Sequence, residues 1–327
     1  MRRANHLLPK IIDPDNLRLA SWKAAKGKRW AQEVLAYQAC LEENLALLRQ
    51  QIRSGLIDVG NYRYFTIYEP KERKICASAF REQVLHHSLM NVCHEFFDRA
   101  LISDSYASRK GKGTYAAIDR AKVFTREFEW YLKLDVRKFF ESIHHEVLKD
   151  QLAKLFKEKR LLEIFGKIID SYETLPNRGV PIGNLTSQYF ANHYLSGLDH
   201  FIKEQLGIRA YVRYMDDLVL WHEDKSVLKS AKERIEAFVV SNLLCELKPE
   251  ALNRTRLGVP FLGYRIFPHH VWLLHQSKVR FARKMRYIQE QYDTGAWSEE
   301  KCALHARPLI AFTEHADAKA FRRKVLS

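Results

Sequence analysis

Three aspartates set in apolar surroundings are the first residues that could do chemistry. Asp135 ends the run Trp130-Tyr131-Leu132-Lys133-Leu134, and Asp216-Asp217 separate two apolar halves, Tyr211 to Tyr214 and Leu218 to Trp221. Carboxylates in such surroundings are costly unless they meet a cation or water. Magnesium is a hard ion that takes oxygen ligands, commonly carboxylates plus substrate phosphates. Two such ions about 3.5–4 Å apart can activate an attacking hydroxyl and stabilise a leaving oxygen in an in-line phosphoryl transfer. Neighbouring side chains on a regular strand face opposite ways. At a hairpin tip that rule relaxes, and both carboxylates of an Asp-Asp pair can approach one point. A solvated turn is the competing reading of the pair taken alone.

Such carboxylates need rigid elements behind them. The segment RAYVRYMDDLVLWHED reads as two strands meeting at a tight turn. EWYLKLDVRKFFESI begins as a strand, with Trp130, Leu132 and Leu134 on one face, and passes into a helix. Upstream, residues 31–54 read as one amphipathic helix with Val34, Leu35, Ala39, Leu41, Leu45, Leu48 and Ile52 inward. NYRYFTIYEPKERKICAS reads as a hairpin turning at EPKER, and residues 80–100 as a helix. SRKGKGTYAAIDRAK is a basic glycine turn leading into another helix, and NRGVPIGN is a Gly/Pro turn. Ser187 to Leu206 reads as a helix capped by Thr186 or Ser187, with Phe190, Tyr194, Leu198, Phe201 and Ile202 on its apolar face. Val227 to Leu244 reads as a helix. VPFLGYRIF reads as a strand in which Gly263 marks a close backbone approach. A hairpin and basic helices follow. Strands and helices mix without strict alternation, so the expected fold class is α+β, an antiparallel sheet with helices on one face.

Composition narrows the classes of function. The 327 residues are 46% hydrophobic, enough for a core, and carry a net charge of +15, which suits a polyanionic partner. The most apolar central stretch, Ala237 to Leu247, is broken by Ser241, Asn242 and Glu246, so no transmembrane helix is expected. The N-terminal MRRANHLLPKIIDPDNLR lacks the apolar core of a signal peptide. Cysteines at 40, 76, 93, 245 and 302 show no CxxC pairing, a pattern that fits a reduced, cytoplasmic protein without a zinc site.

Six motifs occur in a telling order: PKER, SYASRKGKG, LDVRKFFESI, GVPIGNLTSQ, YMDD and FLGYRI. Together they resemble the reverse transcriptases over roughly residues 60–325. The resemblance implies a right-hand polymerase with fingers, a ferredoxin-like palm and a small helical thumb. The corresponding divisions are a basic helical extension over 1–55, fingers and palm over 56–266, and a thumb over 267–327. It implies RNA-templated DNA synthesis with two magnesium ions, manganese being a possible substitute. Asp135 and Asp216 would be the main ligands, Asp217 a weaker one, and the Val136 backbone would lie beside them. Arg73, with help from Lys71, would grip the incoming triphosphate. Phe140 would act as the aromatic gate beneath the sugar that disfavours a 2′-hydroxyl, while Phe139 packs in the core. Ile182, Gly183 and Gln188 would shape the nucleotide pocket, and Lys248 would protonate the leaving pyrophosphate. Arg109, Lys110 and Lys112 would meet template phosphates. Phe261, Leu262, Gly263 and Tyr264 would form the primer grip. Lys278 and Arg283 would track the duplex from the thumb.

Within that family, GVPIGNLTSQYFANHYLSGLDHFIK, with its Ser187-Gln188 pair, is similar to the diversity-generating retroelement branch. Ile182 stands where many relatives carry Gln. The branch implies a template-repeat RNA and adenine-mutagenised cDNA. It also implies dNTP substrates, a small basic pentameric accessory protein and a bacterial or phage source. Glu82-Gln83 replaces the branch's usual Asp-Arg, which leaves open an antiphage-defence enzyme working with a dedicated non-coding RNA. A non-catalytic RNA-binding protein with a retained palm is the alternative of another class, and the intact aspartates oppose it. The segment after Ile266 is short for an appended nuclease domain, and no second acidic cluster suggests one.

Overall fold

The computed structural model describes residues 3–68, 72–249 and 251–326. Along the chain run helices α1 (Leu8–Ile11), α2 (Pro14–Ala24), α3 (Gln32–Ala39) and α4 (Leu41–Ser54), then strands β1 (Tyr62–Ile67) and β2 (Arg73–Ser78). Helices α5 (Phe80–Ala100) and α6 (Thr114–Glu127) precede β3 (Trp130–Asp135), and α7 (Phe139–Ser142), α8 (His145–Leu155), α9 (Lys159–Asp170), α10 (Leu185–Tyr194) and α11 (Ser196–His200) follow it. Next come β4 (Tyr211–Tyr214), β5 (Asp217–His222), α12 (Lys225–Leu243) and β6 (Ala251–Arg254). The chain ends in β7 (Val259–Phe261), β8 (Tyr264–Ile266), β9 (Val271–Leu273), α13 (His275–Asp293), α14 (Glu299–Glu314) and α15 (Lys319–Leu326).

Two compact units emerge. One comprises Met1–Ser103, Val136–Phe201 and Ile235–Lys248; the other comprises Asp104–Asp135, Ile202–Arg234 and Pro249–Ser327. In the first, Asp13 caps α2 by accepting the Asp15 and Asn16 N–H groups, with Pro14 at the first helical position where its missing N–H costs nothing. Its core is aromatic: Phe97 meets Phe156, Phe165 and Phe190 with ring centroids 5.4–6.4 Å apart. The expected hairpin is present, β1 pairing β2 from Tyr62↔Ser78 to Ile67↔Arg73. The centre of its turn lies outside the described residues.

The second unit holds two antiparallel sheets. Strands β3 to β6 pair in the order β4-β5-β3-β6, and β7-β8-β9 form a meander. In chain order the first sheet reads 2-3-1-4, the arrangement of a ferredoxin-like sheet. Tyr131, Val212, Val219 and Trp221 turn one face of it into a core shared with α6 and the meander, alongside Ile118, Phe124, Phe261 and Tyr264. The α+β class with antiparallel sheets is therefore as expected.

Three elements differ from the sequence reading. The helix expected over 31–54 breaks at Cys40, whose φ −122° and ψ 46° are not helical. Asn44 donates to the Tyr37 carbonyl at 3.0 Å and so satisfies a group that the break frees. The change of direction leaves Leu35 and Ala39 exposed while Val34, Tyr37, Leu45, Leu48 and Ile52 stay buried. The helix expected from Ser187 begins instead at Leu185, with Asn184 as its N-cap, because Gly183 at φ 124° ends the preceding turn. Thr186 and Ser187 are buried in its first turn and do not cap it, and the helix breaks at Leu195 before α11 and a π-helical turn over Phe201–Gln205.

The third difference is VPFLGYRIF, which is a hairpin. Leu262 at φ 49° and Gly263 at φ 91° reverse the chain, so Phe261 pairs with Tyr264. The hairpin β8–β9 then carries straight across residue 267. The close approach expected at Gly263 is observed. A Cβ there would lie 2.9 Å from Ser277 Oγ and 3.0 Å from the Phe312 ring, and Ser277 Oγ donates to the Gly263 carbonyl at 2.8 Å. Gly263→Ala should therefore lower stability by roughly 1–3 kcal/mol in denaturant unfolding. An unchanged midpoint would show that the turn tolerates a side chain and that its packing is looser than described.

Candidate active site

The catalytic expectation rests on β3, β4 and β5. Their register sets Asp135 directly across from Asp217, with Tyr214 paired to Asp217 on the other side. Met215 and Asp216 form the tip between β4 and β5, and Met215 takes φ 56°, unusual for a residue with a side chain. The tip is braced from within the sheet. Arg213 is fully buried, and its Nη1 donates to the Met215 carbonyl at 3.1 Å. The open edge of β4 is covered, since Arg213 N–H donates to Asp104 O at 3.0 Å and Tyr106 N–H donates to Arg213 O at 2.9 Å. Thr114 Oγ1 donates to the Tyr214 hydroxyl at 3.2 Å, tying the start of α6 to the same tip.

Lys133 is the second brace. Its Nζ lies 3.0 Å from each oxygen of Asp217, donating a hydrogen bond to Oδ2, and donates to the Pro260 carbonyl at 2.8 Å. Asp217 Oδ1 is buried without a hydrogen bond of its own. Burial pushes the Asp217 carboxyl up to about 6; Lys133 opposes that shift, and the charges of Asp135 and Asp216 add to it. The three aspartates thus share one end of one sheet. Among the described residues, no three His, Cys, Asp or Glu side chains converge as a ready metal cage. The donor set fits magnesium in kind: hard carboxylate oxygens facing each other on adjacent strands.

Of the expected nucleotide residues, Phe140, Ile182 and Gly183 meet at the Gly/Pro turn in the other unit. Val180 N–H donates to Phe140 O and Cys76 N–H donates to Ile182 O, both at 2.8 Å, so the turn spans α7 and β2. At Gly183, a Cβ would come within 3.0 Å of the Cys76 carbonyl, so only glycine lets the backbones meet. Phe139 is buried, as a core residue would be, and Phe140 is half-buried. Ile182 is half-buried, while Arg73 and Gln188 are exposed. Val136 bridges Leu247, and Arg137 N–H donates to Glu246 O at 2.8 Å, which places Lys248 one residue beyond that bridge. Lys71 lies outside the described residues.

The nucleic-acid residues divide more sharply. Arg109 donates to Ser105 O at 2.9 Å, and Lys112 sits 4.9 Å over the Tyr106 ring, so both help fold their own loop, while Lys110 is exposed. Phe261 and Tyr264 are fully buried, and the Tyr264 hydroxyl donates to Phe312 O at 2.6 Å. Their side chains are core, so of the expected grip only Leu262 and Gly263 offer surface. Lys278 lies 5.9 Å over the Phe321 ring, and Arg283 is exposed. Sequence reading missed Lys133 and Arg213. The available signal was a cation placed inside each of two apolar strands.

Comparison with known proteins agrees with this architecture. The family model described as "Reverse transcriptase (RNA-dependent DNA polymerase)" matches residues 70–266, more than half of the chain. "Protein YkfC" of Escherichia coli (strain K12) is 21% identical over 281 residues, covering 70% of this chain and 72% of that protein. The "Uncharacterized 91 kDa protein in cob intron" of Schizosaccharomyces pombe is 25% identical over 150 residues, which are 44% of this chain and 17% of that protein. The chain thus corresponds to less than a fifth of that intron protein's length. The structure of apo telomerase from Candida tropicalis is similar in fold, with a TM-score of 0.56 at 12% identity, over 88% of this chain and 64% of that one.

Removing Lys133 leaves the Asp217 charge partly buried without its partner. Lys133→Met should cost roughly 2–3 kcal/mol at pH 7.5. A carboxyl whose pKa is raised in the fold is charged only above that value, so the cost should shrink at pH 5, where Asp217 is protonated. Adding Asp217→Asn should recover most of the loss. Denaturant midpoints at both pH values test this; an equal loss at both would mean that Lys133 acts by packing and not by charge.

Proposed function

The chain belongs to the reverse transcriptase family, and on that premise we propose that it is an RNA-directed DNA polymerase. The observation that carries the reading is the β3–β5 register, which sets Asp135 against Asp217 with Asp216 at the adjoining tip. Asp135 and Asp216 would hold magnesium with help from the Val136 backbone, and Asp217, already paired with Lys133, would contribute least. Bound magnesium supplies activation of the primer hydroxyl and charge neutralisation on the leaving phosphates. Arg73 clamps the triphosphate as a bidentate donor. Phe140 closes the space beneath the sugar, so that a 2′-hydroxyl clashes there. Lys248 delivers a proton to pyrophosphate. Residues 56–266 act as fingers and palm, and the helices from α13 onward act as the thumb. The basic excess of +15 suits an RNA template and an RNA/DNA duplex.

We propose further that the copying is error-prone at template adenine and serves diversification. Support comes from Ile182, an apolar residue in the turn that joins β2 to α7. A pocket wall that cannot hydrogen-bond discriminates weakly. The Ser187-Gln188 pair points the same way, and a template-repeat RNA and a small basic pentameric protein are the partners of this reading. Glu82-Gln83 departs from the branch's usual pair and leaves open a second reading, phage defence with a dedicated RNA. A neighbouring pair of near-identical repeats differing at adenines separates the two.

Primer extension on an RNA template with magnesium tests the core proposal. Asp135→Asn combined with Asp216→Asn should reduce extension by at least roughly 10³-fold while the protein stays folded by circular dichroism. Equal extension by wild type and variant would remove the enzyme reading. Ile182→Gln should lower misincorporation opposite adenine by roughly 3- to 10-fold with little change opposite the other bases. An unchanged error spectrum would sink the role given to Ile182.

A further inference from the structure

Three rings gather at the β8–β9 turn, away from the residues assigned above. Phe267 stacks on His270 with centroids 4.3 Å apart and an interplanar angle of 21°. Trp272 lies 4.7 Å from Phe267 and 4.8 Å from His270. Burying aromatic surface is among the larger favourable terms in folding, yet Trp272 is left 50% exposed and His270 is exposed as well. The meander explains the placement. Val271 and Leu273 turn inward with Tyr264 and Ile266, which forces Trp272 outward beside its cross-strand partner Arg265. The Leu262-Gly263 turn lies at the opposite end of the same meander, one short strand length away, roughly 10 Å. Pro260, whose carbonyl meets the Lys133 ammonium that pairs with Asp217, is the middle residue of β7 and stands opposite Arg265 in the same register row as Trp272.

A cavity of about 340 Å³ adjoins the rings, between α6, the β8–β9 turn and the end of α14. Lys122 and Arg126 line it together with His269 and His270. Arg126 Nε donates to the Pro268 carbonyl at 3.3 Å, which points its guanidinium along the turn. Of the two acids present, Asp317 is consumed in the fold, accepting from Val271 N–H at 2.9 Å, and Glu314 is the other. Exposed flat rings interleaved with cations suit unpaired nucleic acid. Bases stack on rings without regard to sequence, and guanidinium and ammonium groups meet the phosphates between them. A duplex keeps its bases stacked internally and cannot use such rings.

We propose that this surface is a second RNA site that takes a single-stranded segment of the template RNA outside the primer–template path. Bases stack on Trp272 and His270, and Arg265, Lys122 and Arg126 hold the phosphates. The site rests on the polymerase reading in one respect: RNA is the polyanion that such an enzyme must retain while copying. Its action is anchorage of the template, so it acts on affinity and processivity and leaves the chemical step alone.

The test uses the full chain and two labelled RNA templates annealed to one DNA primer, one with a short overhang and one extended by about 15 unpaired uridines. Trp272→Ala should weaken binding of the extended RNA roughly tenfold by fluorescence anisotropy, leave the short one unchanged, and leave single-nucleotide addition on the short one unchanged. Trp272→Phe should restore most of the loss, because a ring is retained. Lys122→Ala with Arg126→Ala, which leaves the ring stack in place, should weaken the extended RNA similarly and steepen no other defect. Equal loss on both templates, or no loss on the extended one, overturns the proposal. Binding measured in the Asp135→Asn, Asp216→Asn background separates the two ideas. A Trp272 effect there, with no extension by wild type, would retain the RNA site and discard the polymerase.

Discussion

Two carboxylates forced to face each other across a pair of strands define the problem that the rest of this structure answers. At cross-strand spacing, about 5 Å, two unit charges repel by roughly 3 kcal/mol at an effective dielectric of 20. Asp135 and Asp217 stand in that relation, and Asp216 adds a third negative charge at the tip. The sheet answers with two cations, Lys133 half-buried and Arg213 fully buried. Lys133 neutralises Asp217 from the neighbouring strand, and Arg213 holds the backbone of Met215 in a left-handed turn that few side chains accept. The remaining strain is legible in Asp217, where burial pushes the carboxyl up to about 6 against the pull of Lys133.

The same economy of backbone contacts shapes the other unit. One Gly/Pro turn joins Phe140, Ile182 and the strand that begins with Arg73, through two hydrogen bonds and one glycine. The backbones of Phe140, Ile182 and β2 are thereby tied to one turn, so a change in that turn reaches all three.

Much of this was legible in the sequence, for reasons that can be named. The β4–β5 hairpin announces itself because a charged pair interrupts two apolar halves. The buried place of Phe139 and the half-buried place of Phe140 follow from the helical start after Asp135. Helix breaks at Cys40 and Leu195 were hidden because the apolar period runs on through both and neither carries Pro or Gly. The turn at Leu262-Gly263 was hidden because only its second residue has turn chemistry, so VPFLGYRIF looks continuous. Phe261 and Tyr264 read as contacts because their motif does, yet they fill the core beneath it. Lys133 and Arg213 were invisible for a different cause. A single cation in a strand reads as a solvent-facing residue until register shows which carboxylate or carbonyl it meets.

The account stands on Asp135 and Asp216 jointly holding a divalent ion at the end of the β3–β5 pair. Diffraction from crystals of the chain with an RNA/DNA duplex, a non-hydrolysable dNTP and manganese measures this directly, through the anomalous signal of the metal. The account predicts anomalous peaks within bonding distance of carboxylate oxygens from both Asp135 and Asp216. Peaks confined to other residues, or carboxylates turned away from a bound nucleotide, would contradict it.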